Sequence, residues 1–292
     1  MKKIVVTGAT GLLGRALVKV LSQSNTVIGT GFRRAAPPIE QLDLHDQTAI
    51  TAFLDTHQPE VLVHAAAERK PDICENDHQA TMALNVQAAE FLASQCKKRH
   101  IQFVLVSTDY VFDGQSAPYT ENDATSPVNF YGQSKAHAEL AVLAACPEHT
   151  VVRVPVLYGD VKYLAESAVT IIAEQVIKDR NSAHDDWAIR YPTHVEDIAL
   201  TLNDLLAQPR DKQCGTFHIS NNQLMTKYAM AVEIAKALAL DTQGLVALPE
   251  PSQTATRPYN CALQDTRLHT MGIKHHRDFA TAIAKVLSQH SH

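Results

Sequence analysis

Three glycines, Gly8, Gly11 and Gly14, stand between an apolar β-branched run, Ile4-Val5-Val6, and a segment that places Leu13, Leu17, Val20 and Leu21 at helical spacing. That order predicts a strand, a tight turn and a helix. A nucleotide pyrophosphate at such a turn needs a close approach to the backbone and a helix N-terminus whose N–H groups point at it. On this reading Gly8 makes the turn, Gly11 admits the phosphate and Gly14 lets the helix pack on the strand. Glycines collect in turns for many reasons. The strand before and the helix after are what make these three a dinucleotide site.

Thr26 to Gly31 predicts the second strand, and the choice of cofactor is read at its end. An acidic side chain there accepts hydrogen bonds from the adenosine ribose of NAD. No acidic residue lies between Gly14 and Glu40, and Phe32-Arg33-Arg34 stands in that place. Two guanidiniums suit a 2′-phosphate, so the sequence predicts NADP(H) over NAD. Gln41-Leu42-Asp43-Leu44 reads as the end of a third strand, where Asp43 either reaches the adenine amino group or caps the helix predicted over 48–57. Val61 to His64 is a buried fourth strand that runs into Ala65-Ala66-Ala67, whose small side chains leave room for the cofactor's ribose. A mostly helical segment from Asp77 to Arg99 then leads into a fifth strand over 101–106. Strand and helix alternate throughout, which predicts an α/β fold: a Rossmann-type, doubly wound parallel sheet covered on both faces.

The chemistry is concentrated next. Val106-Ser107-Thr108-Asp109-Tyr110-Val111-Phe112-Asp113-Gly114 ends the fifth strand, and ligands of such sheets bind outside the carboxyl ends of the strands, so Thr108 lies where a substrate would. Tyr131 and Lys135 are four residues apart and share one helix face. The same spacing recurs at Tyr158 and Lys162, but Tyr158 follows the sixth strand (150–154) and precedes Gly159. Tyr131 has the better context, between the strand-five hydroxyls and an alanine-rich helix. A free tyrosine titrates near ~10, and a lysine ammonium one turn away is expected to lower that value. Tyr131 then protonates a carbonyl oxygen as hydride arrives from the nicotinamide. Thr108 hydrogen-bonds the same oxygen, and Lys135 also holds the nicotinamide ribose.

Composition excludes other classes. A net charge of -5 over 292 residues, with no basic run longer than Lys97-Lys98-Arg99, argues against a nucleic-acid or acidic-membrane partner. Cys74, Cys96, Cys146, Cys214 and Cys261 are scattered without a C-x-x-C pair, so neither a disulfide framework nor a zinc site is expected, and a reducing cytoplasm fits. No apolar run approaches the ~20 residues that span a bilayer, so the chain is expected to be soluble and unexported. None of the fifteen histidines has H-x-x-x-H spacing with an acidic partner, and no metal site is expected.

On these motifs the chain resembles the extended short-chain dehydrogenase/reductases, and within them the dTDP-4-dehydrorhamnose reductase group. Thr7 to Gly14, Ser107 to Gly114, Tyr131 to Lys135 and Arg257-Pro258-Tyr259-Asn260-Cys261-Ala262-Leu263 look like that group's successive signatures. Phe32-Arg33-Arg34, Ala65 to Asp72, Val154 to Gly159, Glu166 to Thr170 and Tyr191 to Val195 are similar to one branch, the NADP-binding regulatory β subunits of methionine adenosyltransferase. The resemblance implies cofactor contacts at Thr10, Gly11, Leu12, Leu13, Phe32, Arg33, Arg34, Asp43, Leu44, Ala65, Tyr131, Lys135 and Leu157, with Gly8, Gly14 and Ala66 around them. It implies substrate contact at Thr193 and a 4-keto-6-deoxy nucleotide sugar reduced by NADPH. The alternative it implies is a regulatory subunit that partners a methionine adenosyltransferase catalytic subunit; a homodimer is compatible with either. Val156, in place of a sugar-stacking tryptophan, and the loop Asp185 to Thr193 depart from the rhamnose-forming pattern.

Beyond Gly159 the alternation breaks. Residues 1–159 and 192–220 are expected to form the NADP-binding domain, and 160–191 with 221–292 a smaller, interleaved substrate lobe. Amphipathic helices are predicted over 226–240 and 278–287. Arg257 either holds a nucleotide-sugar phosphate or pairs with a surface acid.

Overall fold

The computed structural model describes residues 1–251 and 256–290, so the segment 252–255 and the last two residues of the expected small lobe lie outside the described residues. The strands, in chain order, are β1 (Lys3–Thr7), β2 (Thr26–Gly31), β3 (Glu40–Gln41), β4 (Val61–His64), β5 (Gln102–Thr108), β6 (Thr150–Val154), β7 (Leu157–Tyr158), β8 (Ala183–Asp185), β9 (Thr193–His194), β10 (Gly215–His218) and β11 (Val246–Leu248). Seven of them make one sheet in the order β10-β6-β5-β4-β1-β2-β3, every neighbouring pair parallel. The chain reverses its direction of travel across the sheet between β1 and β4. Such a reversal opens a crevice at the carboxyl ends of those strands. β1, β4, β5 and β6 are almost wholly buried, which is why they read as continuous apolar runs and not as alternating ones.

The helices are α1 (Leu12–Leu21), α2 (Gln47–His57), α3 (Pro71–Asn76), α4 (His78–Met82), α5 (Ala88–Lys98), α6 (Phe130–Ala145), α7 (Thr170–Lys178), α8 (Val195–Ala207), α9 (Lys227–Ala237), α10 (Arg267–Thr270) and α11 (Phe279–Ser288). Apolar clusters cover both faces of the sheet. One joins Leu13, Leu17 and Leu21 of α1 to Ile198, Leu202 and Leu205 of α8; the other joins Leu92 and Cys96 of α5 to Phe103 and Val142.

Three expected boundaries move for local reasons. The helical stretch 77–99 is interrupted by a single π turn at Ala83–Gln87 between α4 and α5, which turns Asn85 inward. β5 runs two residues past 106, because Ser107 and Thr108 pair with Arg153 and Val154. α9 begins at Lys227, where the Thr226 hydroxyl caps it by accepting from Ala229 N at 3.0 Å.

A third apolar cluster gathers Tyr158, Ile172, Val176, Met230, Ile234, Phe279 and Ile283 beside the sheet. Tyr158 is fully buried there, and its hydroxyl has no hydrogen-bond partner among the described residues. The Tyr158/Lys162 pair is thus a coincidence of spacing around a core residue. Because an unpartnered buried hydroxyl costs free energy, Tyr158→Phe is expected to leave the melting temperature unchanged or raise it. A lower melting temperature would show that the hydroxyl makes a stabilising hydrogen bond.

Candidate functional site

The glycine-rich turn sits at the carboxyl end of β1. Gly8 has φ +70°, and a Cβ built on it would lie 2.8 Å from the Ala66 backbone nitrogen; one built on Gly14 would lie 2.1 Å from the Gly8 carbonyl. No other residue type fits either place. Gly11 forms the N-cap of α1 with no side-chain cap and no acidic residue in the first turn. By contrast Asp46, Asn129, Thr226 and Asp278 cap α2, α6, α9 and α11. The N–H groups at the start of α1 are therefore left for an anion, with the helix dipole behind them. Thr10, Leu12 and Leu13 flank this opening.

Phe32, Arg33 and Arg34 are exposed just past the end of β2. Arg34 is close enough to Glu166 to matter: burial raises that carboxyl, but Arg15, the Lys162 N–H and Arg34 outweigh it and hold it below its ordinary value. Asp43 accepts from His45 N at 2.9 Å, while Asp46 caps α2 through Thr48 and Ala49. Capping thus falls to Asp46, and half-buried Asp43 and Leu44 line the turn after β3. Ala65 and Ala66 carry the chain from β4 past Gly8. Leu157 pairs with Thr193 beside the sheet. The Thr193 hydroxyl donates to Tyr191 O at 3.0 Å and accepts from Asn221 N at 2.8 Å, so it is engaged in holding that pairing.

Thr108, Tyr131 and Lys135 come together where β5 ends and α6 begins. Asn129 caps α6 by accepting from Gly132 N at 2.9 Å, which fixes the turn that carries Tyr131. Lys135 is buried and donates its ammonium to the Val106 carbonyl at 2.8 Å; burial lowers it to about 8, with Glu139 opposing. The Tyr131 phenol is pushed above its ordinary value by burial, pulled back by a hydrogen bond with Thr108 and pushed further by Asp109. The expectation that Lys135 lowers the phenol is therefore corrected. The ammonium is turned to a carbonyl, and burial dominates the phenol.

Several residues of this site escape sequence reading. Asn85, on the π turn, donates to Glu68 O and to Ser134 Oγ, both at 3.0 Å, and so ties the 65–70 loop to the residue before Lys135. A lone asparagine at an inward position of a helical pattern is the signal that finds it. One turn after Lys135, Glu139 accepts from Arg153 at 2.7 Å and from the Ser107 hydroxyl, and Arg153 reaches His218 of β10 at 3.3 Å. Arg190 is buried, and its Nη2, 3.9 Å from Asp185, lacks a hydrogen-bond partner among the described residues. Burial, then Arg190 and Arg257, lower the ammonium of Lys227. Arg257 lies 3.5 Å from Asp72, which is the acid-paired alternative of its two readings.

A cleft of about 590 Å³ lies elsewhere, between α1, α8 and α11, where Arg277 pairs with Asp197 at 2.7 Å and Lys19 with Glu196 at 3.0 Å. The chemistry is at the sheet's carboxyl edge, and we take that edge as the site. Among the described residues no helix is long and apolar enough to cross a membrane, and no group of three or more side chains is arranged to hold a metal.

Comparison with known proteins fits this geometry. The family model described as RmlD substrate binding domain matches residues 1–292. The chain belongs to that family. Within it, the methionine adenosyltransferase 2 subunit beta of Mus musculus is 43% identical over 98% of this chain and 87% of its own length. The dTDP-4-keto-6-deoxy-D-glucose reductase of Streptomyces niveus is 34% identical over 81% of this chain and 79% of its own. Among solved structures, a dTDP-4-dehydrorhamnose reductase from Clostridium acetobutylicum superposes with a TM-score of 0.87 at 26% identity, covering 99% of this chain and all of that one. The Bacillus anthracis enzyme of the same name, in complex with NADP, shares the fold with a TM-score of 0.86 at 22% identity over 99% and 98% of the two chains. The RmlD-family fold therefore carries an open helix N-terminus, a threonine–tyrosine–lysine set and a neighbouring group of cations in this chain.

Proposed function

We propose that this RmlD-family protein is an NADP(H)-dependent reductase of a 4-keto-6-deoxy nucleotide sugar. One observation carries the reading: Thr108, Tyr131 and Lys135 stand at the sheet's carboxyl edge, with Arg190 near Asp109 and Tyr110, Arg257 near Tyr110, and Lys227 near both arginines. Three cations, one with a guanidinium nitrogen that has no hydrogen-bond partner among the described residues, suit the diphosphate of a nucleotide sugar. The residues at the glycine turn suit a dinucleotide: the start of α1 would take the pyrophosphate, Arg33 and Arg34 the 2′-phosphate, and Ala65, Leu157 and Lys135 the nicotinamide half. Bound there, NADPH supplies the hydride.

Tyr131 holds the proton that the carbonyl oxygen must receive. Its raised pKa keeps the phenol protonated at neutral pH before the reduction begins. Thr108 donates to the same oxygen and fixes its position. Lys135, bound to Val106 O, orients the ribose and keeps the α6 face rigid. The five cysteines are all free, which supports a cytoplasmic location.

The 43% identity to the methionine adenosyltransferase β subunits favours a second reading, an NADP-binding regulator of a methionine adenosyltransferase catalytic subunit. Incubating the protein with NADPH and dTDP-4-dehydrorhamnose separates the two. Loss of nicotinamide absorbance with many turnovers supports the reductase. Absence of turnover, together with co-purification of a methionine adenosyltransferase, supports the regulator.

A further inference from the structure

The Thr108 hydroxyl has two partners of interest. Its oxygen lies 3.1 Å from Asp109 Oδ1, donating to it while Asp109 is a carboxylate and accepting from it when Asp109 is a carboxylic acid, and it is within hydrogen-bond reach of the Tyr131 phenol. Its rotor is fixed from behind, because Tyr110 N donates to it at 3.2 Å. Thr108 and Asp109 are 6% and 5% exposed, and Tyr131 is half-buried. We propose that Asp109 stores the proton that resets Tyr131 after each reduction, passed through the Thr108 hydroxyl; this rests on the reductase reading above.

The step balances without any further reactant. The Tyr131 O–H bond breaks as its proton moves to the oxygen of the reduced carbonyl, leaving a phenolate. The phenolate takes the proton of Thr108, whose oxygen takes the proton of the Asp109 carboxylic acid. Asp109 is left as a carboxylate and regains a proton from solvent through the open cleft once product leaves.

An ordinary aspartate holds no proton at neutral pH. Burial raises the Asp109 carboxyl to about 7, against the lowering effects of Arg190 and of the Thr108 hydrogen bond, so it exchanges between acid and carboxylate in the working range. The groups that face it are Thr108 and Tyr110 from its own turn, Tyr131 of α6, Arg190 from the loop before β9 and the Cys261 thiol. Lys135 does not compete for the role, because its ammonium is bound to Val106 O. A resetting role makes a kinetic signature that a structural role does not: the first turnover uses the proton already on Tyr131, and only later ones need Asp109.

The test is rapid mixing of Asp109→Asn with NADPH and dTDP-4-dehydrorhamnose. One equivalent of NADPH should be consumed within about twofold of the wild-type rate, and the following turnovers should be about tenfold slower or more. The wild-type kcat should fall as pH rises through about 7, where the stored proton is lost, and the variant should lose that inflection. A first turnover as slow as the later ones, or an unchanged pH profile, overturns the proposal while leaving the reductase reading intact. No turnover by the wild type defeats both. Infrared difference spectra of cofactor-free wild type against Asp109→Asn give an independent readout that needs no folded variant activity. A protonated carboxyl band at pH 6 that fades by pH 8 supports the store, and a carboxylate at both pH values overturns it.

Discussion

Tyr131→Phe is expected to lower keto-sugar reduction by about 10² to 10⁴ in kcat while leaving NADPH affinity nearly unchanged. The phenol is the acid that meets the carbonyl oxygen, and phenylalanine keeps the ring, its packing and its edge contact with Tyr110 at 6.0 Å. Only the hydroxyl is removed. The variant also loses the hydrogen bond with Thr108, so its stability should fall by no more than about 0.5 to 1.5 kcal/mol. Steady-state rates, nucleotide titrations and thermal melts check the three parts together. Full turnover by the variant would remove Tyr131 from the mechanism, and a loss of folding would make its role structural.

The second large effect concerns cofactor choice. Arg33 and Arg34 are exposed past β2, the place where the adenosine ribose of a dinucleotide bound to α1 must lie. A hydrogen bond to a charged group is worth about 1.5 to 3 kcal/mol, or roughly ten- to a hundredfold in affinity for each arginine that meets the 2′-phosphate. The Arg33→Ala/Arg34→Ala double variant should accordingly weaken NADPH strongly and leave NADH almost unchanged. Arg34 also helps hold Glu166 ionised, and Glu166 accepts from Arg15 at 2.7 Å beside the glycine turn. Calorimetric titration of both nucleotides measures the effect directly. A wild-type protein that binds NADH as tightly as NADPH contradicts the assignment, whichever of the two functional readings holds.

What the sequence by itself determined is what local patterns encode. Apolar β-branched runs located β1, β2, β4, β5 and β6 of the main sheet, and their alternation with helices implied the doubly wound order, whereas β3 is an exposed polar pair, Glu40–Gln41, that such runs do not mark. Gly8 and Gly14 were legible because backbone sterics exclude every other residue there. The absence of an acid before Glu40 was equally plain, and so was the Tyr131/Lys135 spacing, since one helical turn is a local fact. Only the tertiary structure decided the rest. Tyr158 and Lys162 match the same spacing, and it took the packing of Tyr158 against Phe279 and His194 to show a core residue. Arg190, Lys227 and Arg257 are far apart in the chain and meet only in the folded structure. The direction of the Tyr131 shift is not legible in the spacing for the same reason: a pKa depends on burial and on where an ammonium points. Periodicity carries no information about either, because burial and long-range contact are set by elements distant in sequence.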